Sequence, residues 1–294
     1  MSYFFQLMLS GIMVGAIYGL VALGFILIYK CSAVFNFAQG EFLCLGAYIC
    51  YAIIVQAGMP VWVGFAGTFI FAVLLGLVIE RFTLRPMIGQ PILGIIMMTI
   101  GLAALLKGIL TLFWAGWYRT YPPFFPSTTV YLGTIALSQQ HIYSFTICVA
   151  LVLAFTYFFR YTKWGLAMRG TAEGHELAQS MGVNVKTVFA LAWVIAAVVS
   201  AIGGILLGSI NGLNLGLTEM GLKVFPAVMI GGLESVGGAL LGGVIVGLLE
   251  YMTVGYLGSV FGGGIRDIVA YVIILLVLIV RPFGLFGWSR VKRA

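Results

Sequence analysis

An all-α, polytopic membrane bundle of about eight spans is the fold this sequence predicts, with short broken or re-entrant helices between the spans. Two observations carry that expectation. Hydrophobic residues fill 62% of the 294 positions and charged residues 8%, against the quarter or so that is charged in water-soluble domains. The charges also leave several windows of about twenty residues with none, the length of helix that crosses a bilayer core. The whole of 1–294 is therefore expected to form a single transmembrane domain.

Taken in order, the apolar runs fall at about 6–29, 41–57, 61–80, 92–113, 141–159, 187–208, 224–255 and 265–281. The first run is too long for a signal-peptide core and lacks a basic start, so it is expected to stay as a membrane helix. Gly11, Gly15 and Gly19 recur every four residues and line one helix face for close backbone approach, and Gly204, Gly208, Gly212 and Gly216 have the same spacing. Residues 31–40 fit a short re-entrant piece.

Charge sets the expected sidedness. Of the 15 Lys and Arg, Arg160, Lys163, Arg169 and Lys186 lie in one loop, and Arg281, Arg290, Lys292 and Arg293 in the tail. Basic loops stay on the cytoplasmic side. Placing 160–186 there puts 114–140 outside, where Tyr121-Pro122-Pro123-Phe124-Phe125-Pro126 suits an extended loop. Three simple spans after residue 187 would then leave the basic tail outside, so one segment must be broken or doubled. The glycines of 222–255 mark it as the one that splits into a short piece and a full span. A net charge of +7 could suggest nucleic acid, but the basic residues sit at the ends of apolar runs and form no stripe with interleaved aromatics.

Two interruptions resemble one another. Gly40-Glu41 is followed by Leu45-Gly46-Ala47, and Leu233-Glu234 by Gly237-Gly238-Ala239. Each puts a glutamate at the start of a glycine- and alanine-rich helix in corresponding parts of the two halves, the sequence sign of an internal inverted repeat with a transport path where broken helices meet. The competing reading is that small residues simply let helices pack.

Charges at membrane depth are costly, about 2.5–3.5 kcal/mol each at the bilayer centre. Lys107, Glu250 and Asp267 are expected at interfaces, where they snorkel to water. Glu41 and Glu234 are expected to face a solute path, with Asn36 and Gln39 beside Glu41 in an unwound segment that lines a cavity. From Thr171 to Met181 the loop reads as a short helix with Glu173 and Glu176 in its first half, Leu177 and Met181 at i and i+4, and Gly182 as a stop. Such a helix suits docking to a cytoplasmic partner.

Catalytic machinery is not expected. No G-x-x-x-x-G-K-[ST] occurs, so the chain has no recognisable phosphate-cradling loop. The two histidines, His141 and His175, lie on either side of an expected span, and His175-Glu176 lacks the second histidine of a zinc helix. Cys31, Cys44, Cys50 and Cys148 form no CxxC pair and read as small hydrophobes. Neither metal nor cofactor is expected.

Three stretches together carry a resemblance: Asn36-Phe37-Ala38-Gln39-Gly40-Glu41 with Gly46-Ala47-Tyr48; Trp164-Gly165-Leu166-Ala167-Met168-Arg169 through Ala172, Ala178 and Met181-Gly182-Val183; and Gly231-Gly232 through Gly238 with Arg281-Pro282-Phe283-Gly284-Leu285-Phe286-Gly287. The whole chain resembles the permease subunits of bacterial ABC importers for branched-chain amino acids, and in particular the shorter of the two permease types. The resemblance implies a multi-pass protein of the bacterial inner membrane that pairs with a second homologous permease. It also implies two cytoplasmic ATP-binding subunits and a periplasmic solute-binding protein as partners. By likeness, Arg169, Glu173, Ala178 and Gly182 belong to the loop that couples to the ATPase, and the nucleotide site lies on another chain. Two rival classes remain open: a stand-alone ion-coupled transporter or channel, which would move solute in liposomes unaided, and a membrane scaffold with no flux of its own.

Overall fold

A computed structural model describes residues 2–87, 89–114, 117–126, 128–133, 135–233, 235–262, 264–281 and 284–286. Helices α1 (Ser2–Ser32), α2 (Gln39–Tyr51), α3 (Val61–Ile79) and α4 (Ile92–Trp114) precede a hairpin of β1 (Thr129–Leu132) and β2 (Ile135–Ser138). Then come α5 (Gln139–Tyr161), α6 (Lys163–Glu173), α7 (His175–Ser180), α8 (Val185–Asn211), α9 (Gly216–Leu222), α10 (Val224–Gly231), α11 (Val236–Phe261) and α12 (Ile265–Val280). Among the described residues seven helical segments are long and apolar enough to span a membrane, and Ile268–Val280 is a shorter apolar helix. The helical class and a count near eight both hold.

The outer faces of α3, α4 and α5 carry large apolar side chains such as Phe69, Leu105, Leu112 and Leu153, all exposed. A helix apolar on every side fits lipid as its solvent. By contrast α1, α2 and α8 are mostly buried within the protein.

The chain divides into two compact units. The first comprises the described parts of Met1–Ile26, Phe125–Val149 and Lys223–Ala294. In it the glycine face of α1 meets that of α11: a Cβ on Gly15 would strike Gly243 and Val244, and one on Gly247 would strike Gly11 and Gly15. Backbones that approach so closely gain dispersion contacts that larger side chains would forbid. The expected split of 222–255 is present, as α10 and α11 joined by a turn, with Ser235 Oγ accepting from the Gly238 N–H at 2.9 Å as the α11 cap.

The second unit, Leu27–Phe124 with Ala150–Leu222, is built on α2 against α8. A Cβ on Gly46 would overlap Ala201, and one on Gly204 the Leu43 carbonyl. The chain between α1 and α2 is unwound, with Ala33 in the left-handed region at φ 54°.

Two expectations of local structure need correction. The helix over Thr171–Met181 is broken at Gly174, which ends α6 and starts α7, because its backbone is extended there. The glycine row of α8 stops at Gly208, since Asn211 ends the helix and Gly212 has φ 76°. After the 121–126 run the chain forms a hairpin, in which β1 and β2 pair antiparallel from Thr129–Ser138 to Leu132–Ile135.

Candidate functional site

The unwound segment before α2 is held by its own amides. Asn36 Oδ1 accepts from the Ala38 N–H at 3.1 Å, a local turn that competes with helix. Asn36 Nδ2 donates to Gln39 Oε1 at 2.9 Å, and Gln39 Nε2 donates to Ser200 Oγ on α8 at 2.6 Å. Both side chains are buried, so this chain of hydrogen bonds fixes where α2 begins relative to α8. Gly40 allows it, because a Cβ there would overlap the Thr218 carbonyl of α9.

Glu41 follows on the first turn of α2, where the positive end of the helix dipole favours a carboxylate. It is buried, and its Oε2 has no hydrogen-bond partner. The Lys107 ammonium of α4 acts on it electrostatically. Asn36 and Gln39 are thus joined to each other and to α8, Glu41 stands apart from them on the first turn of α2, and Glu234, expected as their counterpart, lies outside the described residues.

The far end of this unit is closed by residues 118–121. Arg119 exchanges two backbone hydrogen bonds with Leu213, at 2.9 and 2.7 Å. Tyr118 OH donates to the Asn211 carbonyl at 3.3 Å, and Tyr121 OH to the Ala47 carbonyl at 2.6 Å. Burial raises the Tyr121 hydroxyl well above its usual pKa, so it stays protonated as a donor. These three residues fasten the ends of α2 and α8 together.

At α6 and α7 the residues singled out from sequence take different positions. Arg169 Nη1 donates to the Phe159 and Arg160 carbonyls, at 2.5 and 3.1 Å, satisfying the open end of α5 while its guanidinium lies 5.7 Å from the Phe159 ring centroid. Ala178 is buried, Glu173 is exposed, and Gly182 has φ 82°, a left-handed turn that leads into α8. Leu177 and Met181 are 71% and 84% exposed on the outward face of this corner. His175 Nε2 lies 3.0 Å from the Cys31 carbonyl, which docks α7 under the end of α1. A cleft of about 400 Å³ lies between the start of α6 and the start of α8, lined by Trp164, Ala167, Val183 and Thr187 among others.

Sequence reasoning missed one buried cluster. Glu250, expected to snorkel at an interface, is fully buried in the first unit. Its Oε1 accepts from Lys223 Nζ at 3.2 Å, from Tyr18 OH at 3.4 Å, and from Arg266 Nε. Burial is possible only because two cations accompany the anion. Lys223 falls between α9 and α10 and is itself 2% exposed, whereas Lys107 is exposed.

Comparisons with known proteins agree among themselves. Residues 7–280 match the profile of the family described as "Branched-chain amino acid transport system / permease component". The high-affinity branched-chain amino acid transport system permease protein LivH of Escherichia coli (strain K12) is 32% identical, the match covering 99% of this chain and 98% of that one. Its Pseudomonas aeruginosa counterpart BraD is 30% identical at the same coverage. A probable branched-chain amino acid transport permease protein of Methanocaldococcus jannaschii is 28% identical over 93% of this chain and 90% of its own. In fold, the chain is similar to a solved structure titled PsaBC from Streptococcus pneumoniae in complex with Fab, with a TM-score of 0.52 at 15% identity, covering 95% of this chain and 91% of that one.

Proposed function

The chain belongs to the family of branched-chain amino acid transport permease components, and from that premise we propose that it forms the solute pathway of an importer for branched-chain or related amino acids in a bacterial inner membrane. It is a multi-pass membrane permease component and not an enzyme. The match over residues 7–280 carries this reading, and the missing phosphate-cradling loop fits it, because energy must then come from another chain. Its partners are a second homologous permease, two cytoplasmic ATP-binding subunits and a periplasmic solute-binding protein.

Alternating access follows from this arrangement. Glu41 borders the path, and Asn36 and Gln39 hold the unwound segment that presents it. The α6–α7 corner receives the ATP-binding subunit. What supports that role is an exposed apolar pair, Leu177 and Met181, rimmed by the charges of Glu173 and Glu176. Arg169 ties the corner to the end of α5, Ala178 packs it inward, and Gly182 turns the chain into α8, so movement at the corner reaches two spans.

The test is reconstitution with the partner subunits. ATP-driven uptake of L-leucine is expected from the complex and not from the chain alone. Replacing Leu177→Asp together with Met181→Asp should lower solute-stimulated ATP hydrolysis at least tenfold while the folded chain still inserts. Ion-driven uptake by the chain alone in liposomes would refute the reading in favour of a secondary transporter.

A further inference from the structure

Buried polar groups without partners are rare in folded proteins, and four of the five among the described residues of the second unit, all but Trp193 Nε1, belong to α2, α4 and the chain just after α4. They are Glu41 Oε2 and the Tyr48 hydroxyl on α2, the Trp114 indole N–H at the end of α4, and Arg119 Nε just beyond it. Glu41, Cys44 and Tyr48 are spaced by three and four residues and so share one face of α2. Lys107 and Trp114 are seven apart and share one face of α4.

The two faces meet at Tyr48 and Trp114. The Tyr48 and Trp114 rings lie 5.2 Å apart. One step of seven residues back along both helices, the Lys107 ammonium acts on the Glu41 carboxyl and on Cys44. Seven residues of helix rise about 10.5 Å, so the seam has two rungs about that far apart. Beyond the second rung, the Arg119 guanidinium lies 5.9 Å from the centroid of Tyr51.

Each rung has the chemistry of half or all of a zwitterion. Tyr48 O–H and Trp114 N–H are two donors without acceptors, which suits a carboxylate. Glu41, buried on α2, and Lys107, on the exposed edge of α4 beside the buried stripe, carry opposite charges that act on one another, which suits an ammonium and a carboxylate together. A free amino acid carries those two groups on one carbon, so it fits a single rung and not both at once.

Resting on the permease reading, we propose that the α2–α4 seam is a two-rung track for a zwitterionic amino acid: Tyr48 and Trp114 take its carboxylate at one rung, and Glu41 takes its ammonium with Lys107 on its carboxylate at the other. Arg119 stands at the end of the track as the first cation a carboxylate meets. In the structure the seam is shut, and ligand entry requires α4 to part from α2. That separation is feasible because α4 meets the unit through one stripe, Thr99, Leu102, Leu106, Leu110 and Trp114, while its opposite face is exposed.

Cys44 lies between the rungs, fully buried with a free thiol, and reports opening. In the reconstituted complex with Cys31, Cys50 and Cys148 replaced by Ala, conversion of the Cys44 thiol to a mixed disulfide by a small membrane-permeant methanethiosulfonate, with release of methanesulfinate, should accelerate at least tenfold during ATP turnover. Saturating L-leucine should slow it. Uptake should fall at least tenfold in Glu41→Gln and in Arg119→Gln, and Glu41→Asp should recover more of it than Glu41→Gln. Robust ATP-driven uptake in the wild type with Cys44 inert, and with the Glu41 and Arg119 variants within twofold of it, would overturn the track and leave the permease reading standing. Absence of uptake by the wild-type complex would overturn both.

Discussion

Glu250→Gln isolates what a single buried charge does in this protein. The amide keeps the shape of the carboxylate and an oxygen in reach of Tyr18, so nearly all that is lost is the negative charge facing Lys223 and Arg266. Removing one partner of a buried ion pair costs about 3–5 kcal/mol, because the cations left behind have already given up their water. Arg266 is 26% exposed, so water recovers part of its solvation, and the lower end, about 3 kcal/mol, is expected. At 1.4 kcal/mol per factor of ten, that is about a hundredfold in the folded-to-unfolded ratio. Tyr18→Phe removes a neutral donor at 3.4 Å from the same oxygen and should cost about 1 kcal/mol or less. Both are read by titrating the purified chain from mild micelles into dodecyl sulfate and following tryptophan fluorescence. A Glu250→Gln loss below 1 kcal/mol, or a Tyr18→Phe loss as large as that of Glu250→Gln, would refute the reasoning that charge pairing holds this cluster.

Two further substitutions follow from packing and from hydrogen bonding. Gly204→Ala puts a methyl into the Leu43 carbonyl and should destabilise by about 1–3 kcal/mol in the same titration, whereas Gly101→Ala on α4, which meets nothing within 4 Å, should stabilise by about 0.5–1 kcal/mol through helix propensity. Ser200→Ala removes the acceptor of the buried Gln39 amide and should cost about 1–3 kcal/mol, seen as a lower denaturation midpoint; an unchanged midpoint would mean that this contact does not hold the start of α2.

How much of this was legible in the sequence depended on whether the signal was local. Span positions were, because each helix needs about twenty apolar residues of its own. The α1 glycine row was also legible, since a four-residue repeat on one helix implies a close neighbour whichever helix supplies it. The break at Gly174 and the end of α8 at Asn211 were not, because helix propensity is similar on either side: Gly174 takes up extended backbone open to any residue, and only Gly212 stops its helix with a left-handed φ that favours glycine. Glu250 was misplaced for a different reason. A lone glutamate in an apolar run is cheapest at an interface, and the two cations that make burial affordable come from positions 27 residues before it and 16 after, on elements that only the fold brings together. The same logic separates Asn36 and Gln39 from Glu41. All three stand in one hexapeptide and read alike as polar residues at membrane depth. Ser200, 161 residues from Gln39, absorbs the amide chain into the scaffold, whereas Glu41 keeps an unpartnered oxygen on the face that α4 covers. A polar residue in such a bundle is therefore assigned to scaffold or to path by the partners its fold supplies, and its own identity decides only that it must have some.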